Sequence, residues 1–191
     1  PSEKDRFGAQ VSLNGDGGVL AIGAYLEDSS ETVVNGDGEN NDAKDAGAVY
    51  IFSESSSSDW SQTAYLKASN AEKEDYFGWS LTLNDDGDVL AVGASYESSS
   101  SQGIDKDSSN NDAKGSGAVY IFNYTDSGTW SETAYIKASN AGIYASEDVI
   151  DPTDATWGDH FGRSVAFNDD GTVLAVGVPN EDSAATGINW D

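Results

Sequence analysis

The chain repeats itself, and that limits the architectures open to it. Phe7-Gly8-Ala9-Gln10-Val11-Ser12-Leu13-Asn14-Gly15-Asp16-Gly17 returns as Phe77-Gly78-Trp79-Ser80-Leu81-Thr82-Leu83-Asn84-Asp85-Asp86-Gly87. It returns again as Phe161-Gly162-Arg163-Ser164-Val165-Ala166-Phe167-Asn168-Asp169-Asp170-Gly171. Each copy runs on into Val-Leu-Ala-Ile/Val-Gly. Gly47-Ala48-Val49-Tyr50-Ile51-Phe52 recurs unchanged from Gly117, and the segment 61–71 recurs at 131–141 with two changes. The openings lie 70 and then 84 residues apart, the excess being an acidic insertion in 142–159. The units are therefore 1–76, 77–160 and an incomplete 161–191.

Each complete unit holds four short apolar runs. In the first, Phe7, Ala9, Val11 and Leu13 alternate with smaller or polar residues, and period two predicts a strand. The second, Val-Leu-Ala-Val-Gly-Ala, is apolar throughout, which predicts a strand buried on both faces. Asn-Gly-Asp-Gly or Asn-Asp-Asp-Gly joins the two; Asn and Gly tolerate positive φ, so the pair reads as a hairpin. Ala-Val-Tyr-Ile-Phe and Ala-Tyr-Leu-Lys-Ala, rich in β-branched and aromatic residues, are the third and fourth strands. No stretch has a helical period. The prediction is an all-β chain, a β-propeller of four-stranded antiparallel blades amounting to about two and a half blades. A β-sandwich is the alternative. The small second run is expected to line the channel and the aromatic strands to fill the space between blades.

Composition alone points elsewhere. Leu, Ile, Val and Phe supply only 35 of 191 residues, against a net charge of −25, a combination typical of disorder. The schedule of the apolar residues, with five Trp and nine Tyr, overrides it. The charge weighs against nucleic acid and anionic membranes as partners, since both need a basic face. It suits a marine or otherwise salty setting, where self-repulsion is screened. No apolar run is long enough to span a membrane as a helix. Absence of cysteine excludes disulfides and thiolate chemistry, and one histidine, His160, excludes a multi-histidine metal site.

The Phe-Gly opening, the Asn-x-Asp-Gly hairpin and the Val-Gly-Ala or Val176-Gly177-Val178-Pro179 ending resemble the FG-GAP repeat. The likeness lies toward the bacterial branch of surface and secreted proteins rather than the animal integrin α-subunits. It implies a propeller, and it implies Ca²⁺ in the first hairpin. There, however, the family's first ligand is replaced by Ser12, Thr82 and Ala166, and its last by Leu20, Leu90 and Leu174. Asn14 and Asp16, Asn84 and Asp86, and Asn168 and Asp170 remain, as ligands or simply as turn formers.

The loop between the second and third runs offers more oxygen. Asn35, Asp37, Glu39 and Asp42 in unit one match Asp105, Asp107, Ser109 and Asp112 in unit two. Ca²⁺ takes about six to eight oxygens, and alternate spacing with a nearby acid can supply them. A solvated loop with local turns explains the same residues, and Lys44 and Lys114 stand near enough to pair with the acid. Unit three begins the same loop with Asn189 and Asp191. The insertion carries Glu147, Asp148, Asp151, Asp154 and Asp159, and irregular loops on rigid scaffolds often bind. Trp60 and Trp130 repeat, as packing residues do; Trp79, Trp157 and Trp190 do not, and are candidates for stacking on sugar. Asn123-Tyr124-Thr125 fits the N-glycosylation pattern. No nucleophile elbow, phosphate loop or H-E-x-x-H motif occurs.

A propeller closes with about four to eight blades, so the chain is expected to be part of a longer protein or to assemble with copies of itself. The functional expectation is a non-enzymatic, Ca²⁺-stabilised, extracellular or cell-surface adhesion module that presents loops to a protein or glycan. Two alternatives stand beside it: the non-catalytic propeller part of a larger secreted hydrolase or lyase, and a self-assembling structural surface protein.

Overall fold

A computed structural model describes residues 2–141 and 158–181. Blade 1 is the antiparallel meander β1 (Gln10–Leu13), β2 (Val19–Ala24), β3 (Ala48–Glu54) and β4 (Trp60–Leu66), in that spatial order. Blade 2 repeats it with β5 (Phe77–Leu83), β6 (Val89–Ala94), β8 (Ala118–Tyr124) and β9 (Trp130–Lys137). A two-residue strand, β7 (Gly103–Ile104), adds to the outer edge of blade 2 against β9, which the sequence did not announce. Blade 3 contributes β10 (Ser164–Phe167) and β11 (Leu174–Gly177). The described residues contain no helix.

Registers repeat as closely as sequences do. Ala21 stands between Ser12 and Ile51, and Ala91 between Thr82 and Ile121. The third and fourth strands share a bulge, after Ile51 in blade 1 and after Ile121 in blade 2. The alternating run is shorter than expected in blade 1. Gly8 takes φ +86° and the Ala9 amide closes a turn on Arg6 O at 3.0 Å; blade 2 makes the same turn at Gly78, but there Phe77 also pairs with Ala94, whereas in blade 1 pairing starts only at Gln10.

The expected position of the small second strand needs correcting. β2 and β6 lie inside their sheets with a neighbour on each side; the first strands are the inner edges. These edges meet from blade to blade: Leu83 N donates to Ser12 Oγ at 3.0 Å, Gly15 N to Asp85 O at 2.9 Å, and Asp85 N to Asp169 O at 2.8 Å. The second run is small and apolar because adjoining blades press on it. A Cβ on Gly93 would fall 2.0 Å from the carbonyl oxygen of Gly162.

One core spans blades 1 and 2. Val49, Ile51 and Leu66 of the first pack with Phe77, Leu81, Leu90, Val92 and Phe122 of the second. Phe77 is fully buried, with Tyr120 and Phe122 edge-on at 5.4 and 5.9 Å. Burying a side chain of this size contributes about 1.5–3 kcal/mol. The counterparts Phe7, Val11 and Leu13 are exposed, because no described residue covers that face of blade 1.

The Phe-Gly opening is the joint between blades. Tyr76 N donates to Asp45 O at 3.1 Å and Phe77 N to Ala46 O at 2.9 Å. The next joint copies it, with His160 N to Gly115 O at 3.1 Å and Phe161 N to Ser116 O at 2.9 Å. Gly47 (φ +87°) takes a conformation that favours glycine, and its Cβ would lie 2.1 Å from Phe77 O. Hence Gly opens the Gly-Ala-Val-Tyr run each time.

Candidate functional site

The long loops 25–47 and 95–117 fold alike, around Ser and Asn side chains rather than around the acids. Ser29 Oγ donates to Asp37 O at 2.9 Å, and Ser99 Oγ to Asp107 O at 2.9 Å. Asn40 Oδ1 accepts the Ser30 amide at 2.8 Å, and Asn110 Oδ1 the Ser100 amide at 2.9 Å. These four organising residues recur 70 apart, a signal available in the sequence but masked by the more obvious carboxylates.

The expected cation ligands serve the same fold. Asn35 and Asp105, both in the left-handed region, fasten the loop to the blade. Asn35 Oδ1 accepts the Tyr65 amide at 2.8 Å and Asp105 Oδ1 the Tyr135 amide at 2.9 Å. Asp37 Oδ1 accepts the Glu39 amide at 2.9 Å; Asp107 Oδ1 accepts from Ser109, at 2.9 Å from N and 2.6 Å from Oγ. Those Ser109 bonds, side chain first, hold the Asp107 carboxyl below its usual range. Asp42 and Asp112 are exposed, their amides 3.4 Å from Asn40 Oδ1 and Asn110 Oδ1 respectively. Lys44 pairs with Asp45 at 2.8 Å, not with Asp42.

The first hairpins are Asn-splinted turns. Asn14 Oδ1 accepts the Val19 amide at 2.8 Å, Asn84 Oδ1 the Val89 amide at 3.0 Å, and Asn168 Oδ1 the Val173 amide at 2.8 Å. Their Nδ2 groups donate to Asp16 at 2.9 Å, Asp88 at 2.8 Å and Asp170 at 2.7 Å. Asp86 is exposed, and Asp88 does in blade 2 what Asp16 and Asp170 do in the others. Asp16 is held below the usual carboxylate range, first by the Gly18 amide, and Asp170 first by the Thr172 hydroxyl. Among the described residues no three His, Asp or Glu side chains group as a metal site would need. In each hairpin and each long loop, a side-chain oxygen that could serve a cation also accepts a backbone amide.

A buried polar network lies under the loops, and only its lysine hinted at it: a charged residue inside the apolar run Ala-Tyr-Leu-Lys-Ala. Lys67 Nζ meets Glu27 at 2.9 Å and Gly47 O at 2.6 Å. Lys137 Nζ meets Glu97 at 2.6 Å and Ser116 Oγ at 2.6 Å. All four ionic side chains are buried. Burial lowers both lysine pKa values, and the paired glutamates oppose it. The network also crosses between blades: Asn70 Nδ2 donates to Glu97 at 3.3 Å, and Asn140 Nδ2 to Glu181 at 2.8 Å. Tyr120 OH donates to Asn70 Oδ1 at 2.6 Å.

Trp79 is no open stacking platform. Tyr25 of blade 1 approaches it at 4.6 Å, and the Arg163 guanidinium of blade 3 sits over its ring at 4.1 Å. Trp130 is buried, whereas the equivalent Trp60 is exposed. His160 is a packing residue: its Nδ1 donates to Ser95 O at 2.8 Å and its ring lies 4.3 Å from Tyr96. In the glycosylation tripeptide, Asn123 Oδ1 accepts from Thr133 Oγ1 at 2.6 Å. Glu147, Asp148, Asp151, Asp154, Trp157, Asn189, Trp190 and Asp191 lie outside the described residues.

Interlocked four-stranded antiparallel blades, each opened by Phe-Gly and closed on its neighbour through glycine, define a β-propeller module. Residues 60–122 match the FG-GAP repeat family model, so the chain carries an FG-GAP repeat there. The match runs from the last strand of blade 1 through the third strand of blade 2. A comparison with curated proteins gave no match. No described helix is long and apolar enough to cross a membrane.

Proposed function

We propose that this chain is a non-catalytic binding module of an extracellular or cell-surface protein, presenting its propeller loops to a protein or glycan ligand. The observation that carries the reading is the loop between second and third strands, which two blades build with the same internal hydrogen bonds. Such a loop on an interlocked scaffold is ordered before a ligand arrives, so binding costs it little conformational entropy. Its exposed acids, on a chain of net charge −25, favour a ligand surface that is cationic or rich in hydroxyl donors. The reading needs no metal.

The test is binding of the whole chain to an immobilised panel of glycans and extracellular-matrix proteins, beside Asn40→Ala/Asn110→Ala. The variant removes the amides that close both loops. Loss of a panel signal by tenfold or more, with the fold intact by circular dichroism, supports loop-mediated binding. Equal binding by both proteins, or turnover of the bound ligand, overturns it.

A further inference from the structure

Five charged groups are buried around the linker between blades 1 and 2, four of them matched, and Lys137 also faces the buried Asp159 of the next joint. Glu27 pairs with Lys67 and Glu97 with Lys137. The fifth, Asp75, is only 4% exposed and has no lysine of its own. It sits in the linker from β4 to β5, immediately before Tyr76 and Phe77, whose amides make the joint. Its carbonyl accepts the Tyr96 amide at 3.3 Å, and its Oδ2 accepts the Glu72 amide at 2.8 Å. With all five groups ionised the cluster would carry one uncompensated negative charge out of water, which is strongly unfavourable. One proton on Asp75 makes it neutral.

We propose that this joint is a proton-gated clasp, shut while the Asp75 carboxyl holds a proton and loosened when that carboxyl ionises.

The groups that face Asp75 come from each side. They are Glu72 of its own linker; Glu97, Lys137, Tyr120 and Tyr135 of blade 2; and Lys67 of blade 1. Burial is the main cause that pushes the carboxyl up, to about 8. The Glu72 amide works against it, Glu97 and Glu72 add to it, and Lys137 opposes. Opening the joint returns the carboxyl to water and to its ordinary value near ~4. The closed form therefore binds a proton that the open form has lost. Stability of the joint is greatest below that ordinary value and falls as pH rises toward about 8, where the loss is complete. Across this window the opening constant rises about tenfold per pH unit. The gate is local, because the amides it controls are those of Tyr76, Phe77 and Tyr96, while the blade 2 ladder from Ser80 onward and the ladders of blade 1 lie outside it.

Amide hydrogen exchange on the whole chain, read residue by residue, tests this. Protection of Tyr76, Phe77 and Tyr96 is taken relative to Ile51 and Val92 inside the blades, which removes the intrinsic pH dependence of exchange. In the wild type the relative protection should fall steadily from about pH 5 to about pH 8. In Asp75→Asn, a neutral side chain of the same shape that still accepts the Glu72 amide, it should stay flat. Parallel profiles in the two proteins overturn the proposal. Should Asp75→Asn fail to fold, the ¹³C shift of the Asp75 carboxyl in the wild type decides. A midpoint well above the carboxylate range upholds the clasp, and a midpoint within that range sinks it.

Discussion

Gly93 lies so close beneath Gly162 that a Cβ on Gly93 would sit 2.0 Å from the Gly162 carbonyl oxygen. The backbone of one blade thus touches the backbone of the next with no side chain between them. Gly93→Ala must push blade 3 away, and overpacking of this kind costs about 1–3 kcal/mol. Gly36→Ala is the control, since its Cβ would meet only the flexible end of Glu31. Urea denaturation should show the loss for Gly93→Ala and a change within about 0.5 kcal/mol for Gly36→Ala.

Lys137→Met should destabilise by about 3–5 kcal/mol, because it strands the buried Glu97 carboxylate. Adding Glu97→Leu should recover most of that loss, since a matched apolar pair is tolerated where a lone charge is not. A double-mutant cycle measured by chemical denaturation checks both. If the double variant is as unstable as the single, the ion pair is more than a neutralised couple.

Asn84→Ala removes the acceptor for the Asp88 and Val89 amides in a buried turn. The expected loss is about 1–3 kcal/mol. Asn84→Asp keeps the acceptor and should lose less. Thermal melts of the two variants rank them, and equal losses would show that the Nδ2 bond to Asp88 matters as much as the backbone bonds.

Ca²⁺ and Mg²⁺ should raise the melting temperature equally at matched ionic strength, because the acids close turns and the cations merely screen a charge of −25. A rise specific to Ca²⁺, cut back by Asp105→Ala with Asp107→Ala, would instead establish a cage formed by rearranged loops.

The strands were legible because each carries its own periodicity: alternation in Ser80-Leu81-Thr82-Leu83, an unbroken apolar run in Val89–Ala94. The blade joints were legible only as unexplained repetition. Nothing local says why Gly47 must be glycine until Phe77 is placed against it. The loops read two ways for a physical reason. Asn and Asp oxygens that could ligate a cation can equally accept backbone amides, and spacing alone does not separate the two uses. Asn35 and Asp105 illustrate this, since each spends its oxygen on the amide of a strand thirty residues away. The buried Glu27, Glu97 and Asp75 looked like any other acid in a strongly acidic chain. Only Lys67 and Lys137, charged within apolar runs, marked the network.

The segment that matches the family starts at Trp60 and ends at Phe122, so it spans the Asp75 linker and Phe77 but not Asp45 and Ala46, whose carbonyls receive Tyr76 and Phe77. The matched segment and the sheet that folds are out of phase. A copy of that segment carries one half of a joint, and the loop end that receives it comes from the unit before. Each blade is therefore received by the last residues of the long loop before it, and that loop is free to diverge only ahead of Asp45.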